Sequence, residues 1–127
     1  MNAAGLVAVG LGAVLGAWAR WGLGALLNPL FPTLPLGTLT ANIIGGYVIG
    51  LAVEFFMHHA SVPAEMRLFI ITGFLGSLTT FSTFSAEAVT LLARQQYAWA
   101  FALVSAHLAG SLAMTVVGIF TVKWVYS

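Results

Sequence analysis

Four apolar runs, each long enough to cross a bilayer, fill nearly the whole chain, and only short stretches of polar residues and prolines separate them. A helix needs roughly 20 apolar residues to cross a hydrocarbon core about 30 Å thick. The runs therefore predict membrane spans at about residues 3–27, 36–57, 66–94 and 97–125. Pro29, Pro32 and Pro35 exclude a continuing helix in the first break. His58, His59 and Pro63 mark the second, and only Gln95-Gln96 separates the last two spans. Loops this short leave no room for a soluble domain, so residues 1–127 are expected to form one four-helix transmembrane domain. With 61% hydrophobic and 6% charged residues, the chain cannot present the charged surface that a soluble domain needs. The expected fold class is an all-α integral membrane protein. A signal peptide is the competing reading of Met1 to Trp18, but the segment lacks a basic start and continues through Arg20 as a full span.

The same residues limit the chemistry. Absence of cysteine removes disulfides, thiolate metal sites and thiol catalysis. No nucleotide-binding loop or serine nucleophile elbow is present, and the acids and histidines show no metal-ligand spacing. His58 and His59 are adjacent, so on a helix they face different directions and do not suggest a shared metal. Neither an enzyme nor a nucleic-acid partner is expected.

Arginine and lysine near span ends set orientation. Arg67 and Lys123 fall toward one membrane side, Arg20 and Arg94 toward the other. This balance gives no positive-inside bias, so insertion in both orientations and an antiparallel dimer are the expectation. Discounting Arg20, which lies inside a span, would leave a weak bias instead. Four spans are too few to enclose a pore and shield it from lipid, which also points to an oligomer. Gly12 and Gly16, Gly46 and Gly50, and Ala106 and Gly110 are each four apart and put small residues on one helix face, for packing between copies or within a subunit.

The third span carries the unusual chemistry. Its midpoint, residue 80, lies inside the run from Thr72 to Ser85, which mixes glycines, hydroxyls and phenylalanines. Gly76, Ser77, Thr79 and Thr80 are poor helix formers, and a local break there would free backbone groups. Unsatisfied backbone is not tolerated against lipid, so a break must face protein, water or an ion. Carbonyls at a broken helix are hard ligands for sodium or potassium, and two antiparallel copies would bring two breaks to one axis. Serine and threonine in membrane helices often only bond back to the i−4 carbonyl, yet the hydroxyls from Ser77 to Ser85 outnumber that need.

Phe81 and Phe84 share a helix face, either as packing residues or, between Ser82, Thr83 and Ser85, as the lining of a narrow polar track. Aromatic ring edges are electropositive and can face a small anion. Asn42 is an amide in a strongly apolar helix. Its NH₂ can donate to an anion or clamp two helices together. Thr38 lies one turn earlier on the same side.

Gly16-Ala17-Trp18-Ala19-Arg20, the run from Gly37 through Asn42 to Gly45, and the run from Gly73 to Ser85 together resemble the Fluc family of fluoride channels, also called CrcB proteins. The resemblance extends to length and span layout. It implies a dual-topology antiparallel homodimer in a bacterial inner membrane, with two fluoride pores and a central structural sodium ion, exporting fluoride passively. By motif it implies Asn42 as the pore amide, Phe81 and Phe84 as the rings facing fluoride, and Ser82 and Thr83 as part of the polar track. The backbone carbonyls of Gly76 and Thr79 would hold sodium, and Ser77 stands where many relatives carry glycine.

Arg20 fits the family's arginine. By depth it either pairs with Glu87 or snorkels to lend positive potential to an aqueous vestibule. His107 and Ser111, four apart in the fourth span, either present donors to the pore or, for His107, pack as a neutral ring. Two other transport readings compete. A small multidrug-type transporter would need an acid in its first span, where this chain has Arg20. A proton-coupled fluoride antiporter would show proton-dependent flux.

Overall fold

Capping by two asparagines and an arginine explains how these apolar runs begin and end as helices. The computed structural model describes residues 1–127, which form helices and turns without strands. In α1 (Ala3–Leu27), Asn2 Oδ1 accepts the Gly5 amide at 2.8 Å and satisfies one of the free donors at the helix start. Asn28, just past the end of α1, does the same for α2 (Leu36–His58). Its Oδ1 accepts the amides of Gly37 at 2.7 Å and Thr38 at 3.1 Å. At the far end, Arg67 Nη2 donates to the carbonyls of His59 and Ala60, each at 3.2 Å, while its guanidinium lies 5.2 Å from the Phe56 ring centre.

The third apolar run folds differently from the others. It starts at Ala64, directly after Pro63, and its first segment, α3 (residues 64–78), widens into a π-helix over Leu68–Leu75 before one last turn at Gly76–Leu78. Thr79 and Thr80 are then extended, with φ −85°, ψ 153° and φ −146°, ψ 114°. The next helix, α4 (Phe81–Ala93), is capped by Thr80, whose Oγ1 accepts the Thr83 amide at 3.1 Å. α4 and α5 (Tyr97–Val125) are joined by a tight reversal in which Gln95 adopts φ 60° and the Gln96 amide reaches back to the Leu91 carbonyl at 2.9 Å. This is the left-handed helix stop usually given to glycine. Four stretches, Ala3–Leu30, Leu36–His58, Ala64–Ala93 and Tyr97–Val125, are long and apolar enough to cross a membrane.

α2 packs along α5, and α1 along the π-helical stretch of α3. Small residues make both contacts close. A methyl group on Gly12 or Gly16 would overlap the carbonyls of Phe69 or Phe74, and one on Gly50 the carbonyl of Thr115. Without a hydrophobic drive between helices in lipid, such backbone approach and interhelical hydrogen bonds hold a bundle together. Thr115 Oγ1 supplies one such bond, to the Gly46 carbonyl at 2.9 Å, and the Tyr47 hydroxyl another, to Thr121 Oγ1 at 3.3 Å. Phe84, Ala88, Leu91, Ala100 and Leu103 form the core between α4 and α5. Only 24 of 127 residues are buried, so most apolar side chains face outward, toward lipid or another chain.

Candidate functional site

The extended pair Thr79-Thr80 exposes peptide groups that a continuous helix would have paired, and one side chain answers them. Asn42, half-buried in the first third of α2, accepts the Thr80 amide on Oδ1 at 2.7 Å and donates Nδ2 to the Thr80 carbonyl at 3.1 Å. A carboxamide has the donor and acceptor pattern of a peptide, so Asn42 serves Thr80 as a neighbouring strand would. The second hydrogen of Nδ2 reaches His107 Nδ1 at 3.0 Å, which ties α2 to α5 through the same amide. Both amide hydrogens are therefore taken within the chain, and of the two uses foreseen for Asn42 the structure displays the clamp.

His107 is 3% exposed, and its Nε2 has no partner. Its ring centre lies 4.7 Å from that of Phe84, which in turn stands edge-on to Phe81 at 5.5 Å. Phe84 is buried in the α4–α5 core, whereas Phe81 is 74% exposed. Asn42, Gly76, Thr79, Thr80, Phe81, Phe84, His107 and Ser111 all line one open groove of about 420 Å³. Helical spacing brings the α2 and α5 residues there, while Phe81 and Phe84 arrive because α4 restarts directly after the extended pair.

A second cavity, about 220 Å³, is lined by Arg20, Asn28, Thr38, Thr83 and again Thr80. Thr80 thus stands between the two spaces. Ser82 is exposed beside it, with its Oγ 3.4 Å from Thr80 Oγ1. The pairing of Arg20 with Glu87, one of the two readings of their depth, is not formed. Arg20 Nε instead donates to the Ser77 carbonyl at 2.9 Å, a carbonyl at the end of α3. Glu87 Oε2 accepts the Thr38 hydroxyl at 2.7 Å, while Oε1 is buried without a partner. Equal depth in the membrane does not set azimuth, and the restart of α4 turns Glu87 toward α2.

At the break, the Thr79 amide and hydroxyl both bond back to the Leu75 carbonyl, at 3.1 and 2.9 Å. The Thr79 carbonyl receives no donor from within the chain. Sequence reasoning named Thr80 only as a poor helix former near the span's midpoint, not as the partner of Asn42, and did not single out Asn28. A polar amide in α2 facing a run of poor helix formers was the available signal for Thr80. Asn28, with Thr33 one of two polar residues among the prolines and apolar residues ahead of Gly37, had the composition of a cap.

Comparison with known proteins supplies an independent finding. The family described as "CrcB-like protein, Camphor Resistance (CrcB)" matches residues 7–119. A fluoride-specific ion channel of Nitrosospira multiformis is 67% identical over 119 residues, covering 94% of this chain and 93% of that protein. Proteins of the same description from Nitrosomonas europaea and Pseudomonas putida are 56% and 57% identical, over 94% and 91% of this chain and equal shares of their own lengths.

Proposed function

The chain belongs to the CrcB family and is a multi-pass integral membrane protein, and from this we propose that it is a passive, fluoride-selective channel. The observation that carries the reading is near-full-length identity to proteins described as fluoride-specific channels, in a chain whose Phe81, Phe84, His107 and Ser111 share one groove. No covalent step is involved. The protein works by replacing the water around a small, strongly hydrated anion with donors and ring edges, and several moderate sites in series do this without trapping the ion. Weak acid enters a cell as HF and ionises inside, and the inside-negative potential then drives fluoride outward.

In this reading the anion is gathered at the cavity beside Arg20, whose charge attracts it, and passes Thr38, Thr83 and Ser82 to the Phe81 and Phe84 edges, with His107 and Ser111 beyond. Glu87 holds the Thr38 hydroxyl, which orients that oxygen's lone pairs and proton. The functional unit is an antiparallel homodimer with two pores in a bacterial inner membrane. The balance of Arg20 and Arg94 against Arg67 and Lys123 supports this arrangement, as does a groove open along the subunit's side that a second copy would complete. The third span is broken at mid-membrane in this unit. Oxygen ligands suit sodium, and an unpaired Thr79 carbonyl beside exposed Gly76 fits that demand. The carbonyls of Gly76 and Thr79 from both copies would hold the ion, whose charge would tie the two breaks together.

Liposomes containing the purified protein test the reading. Fluoride should leave them rapidly once valinomycin lets potassium carry the counter-charge, and chloride should stay behind. No efflux from a folded protein would contradict it. Cysteines near the termini, labelled with an impermeant thiol reagent, should react from both membrane faces; reaction from one face alone would sink dual topology.

A further inference from the structure

We propose that the cavity between the C-terminal ends of α2 and α5 binds the headgroup of a phosphatidylethanolamine, with Glu54 taking the ammonium and Lys123 the phosphate. The site lies apart from the groove and from the Arg20 cavity and plays no part in the fluoride reading. Glu54, His58, His59, Lys123 and Tyr126 line a space of about 590 Å³. Glu54, one turn before the end of α2, is 7% exposed, and a carboxylate is costly to bury unless it is fully paired. Its Oε1 lies 3.0 Å from His58 Nε2 and accepts that N–H, since a carboxylate can only accept. Oε2 makes no bond within the chain and is not sealed off. Lys123, in the last turn of α5, lines the same space yet makes no ion pair with Glu54.

Two opposite charges that line one cavity without meeting fit a zwitterion better than an ion of either sign. Both α2 and α5 end here, and their C-terminal carbonyls add negative potential that favours an ammonium and opposes a bare anion. His59 donates Nδ1–H to the Phe55 carbonyl at 2.9 Å, which leaves Nε2 of the neutral ring as a second acceptor for N–H donors. Lys123 and the Tyr126 hydroxyl are donors for phosphate oxygens. A choline headgroup carries the same charges, but its methylated nitrogen has no N–H for Glu54 or His59 to accept. The apolar surroundings point to a lipid rather than a soluble zwitterion. Met57, Trp124 and Val125 stand exposed at the same two helix ends, and the Lys123 ammonium lies 5.8 Å from the centre of the exposed Phe120 ring, so acyl chains find apolar surface beside the polar space.

Native mass spectrometry of the protein in detergent, titrated with palmitoyl-oleoyl phosphatidylethanolamine, phosphatidylcholine or phosphatidylglycerol, tests the site. Phosphatidylethanolamine should bind at least about tenfold more tightly than phosphatidylcholine, the scale of one hydrogen bond to a charged group. Glu54→Gln should erase that preference, whereas Lys123→Met should weaken both lipids and keep it. Equal binding of the two lipids by wild type, tighter binding of phosphatidylglycerol, a preference that survives Glu54→Gln, or no effect of Lys123→Met would each overturn the proposal. If Glu54→Gln does not fold, the wild-type contrast and Lys123→Met decide. Water-soluble glycerophosphoethanolamine separates the two sources of headgroup. It should displace the lipid only at far higher concentration, and equal competition would place a soluble ligand there instead. Fluoride efflux enters none of these readouts, so failure here leaves the channel reading standing, and failure of that reading leaves this site to be decided on its own.

Discussion

Phe84→Ala is expected to destabilise the folded chain by about 3 kcal/mol or more and to abolish fluoride efflux. Phe84 is 8% exposed and anchors the cluster of Ala88, Leu91, Ala100 and Leu103 where α4 meets α5. Removing the ring leaves a cavity that two helices already in close contact cannot fill, and it strips His107 of its aromatic neighbour at 4.7 Å. Phe84→Ile separates the two roles. Isoleucine roughly keeps the volume, so the stability loss should fall to about 1.5 kcal/mol or less, but it offers no electropositive ring edge. Thermal unfolding in detergent and efflux per folded protein would therefore diverge, with little change in the first and a large loss in the second. Phe81→Ile sharpens the contrast. Phe81 is 74% exposed, so its replacement removes an edge with little packing inside the chain. Normal efflux from both isoleucine variants in folded form would refute the ring-edge role.

Asn42→Leu should be comparably severe for a different reason. It leaves the Thr80 amide, the Thr80 carbonyl and His107 Nδ1 without partners in an apolar bundle. At about 1–3 kcal/mol for each buried polar group left unpaired, the loss should reach about 3 kcal/mol, and the extended geometry at Thr79-Thr80 would lose its principal side-chain tie. Reduced thermal stability together with lost efflux is the expected result. An amide that only met passing anions would leave stability unchanged, and that outcome would contradict the clamp.

The membrane helices were legible in the sequence because hydropathy and length are properties of each run alone. Proline runs and the Gln95-Gln96 break mark where they stop. The cluster of Asn42, Phe81, Phe84, His107 and Ser111 in one groove could be anticipated from helical spacing and motif, since each residue repeats near one face of its helix. What sequence could not supply was azimuth between helices. Arg20 and Glu87 share a depth yet bond elsewhere, to the Ser77 carbonyl and the Thr38 hydroxyl, because the restart of α4 after Thr80 resets the direction of every side chain that follows. The π-helical turn at Leu68–Leu75 was equally hidden, since nothing in Leu68-Phe69-Ile70-Ile71 departs from an ordinary apolar helix. The tie between Asn42 and Thr80 escaped notice because it is made to the Thr80 backbone rather than to its side chain. The bonds from Asn28 to the first amides of α2 depend on a loop path that local composition only hints at.

Passive, selective fluoride conduction is the central claim, and the most direct measurement is the reversal potential of current through the purified protein in a planar bilayer. The bilayer would carry a fluoride gradient, a chloride gradient of opposite sense and, in a second recording, a pH gradient. A channel of the proposed kind gives current that reverses at the fluoride equilibrium potential and ignores both the chloride and the proton gradients. A reversal potential that follows the proton gradient would establish coupled transport, one that follows chloride would establish an unselective anion pore, and either would contradict the claim.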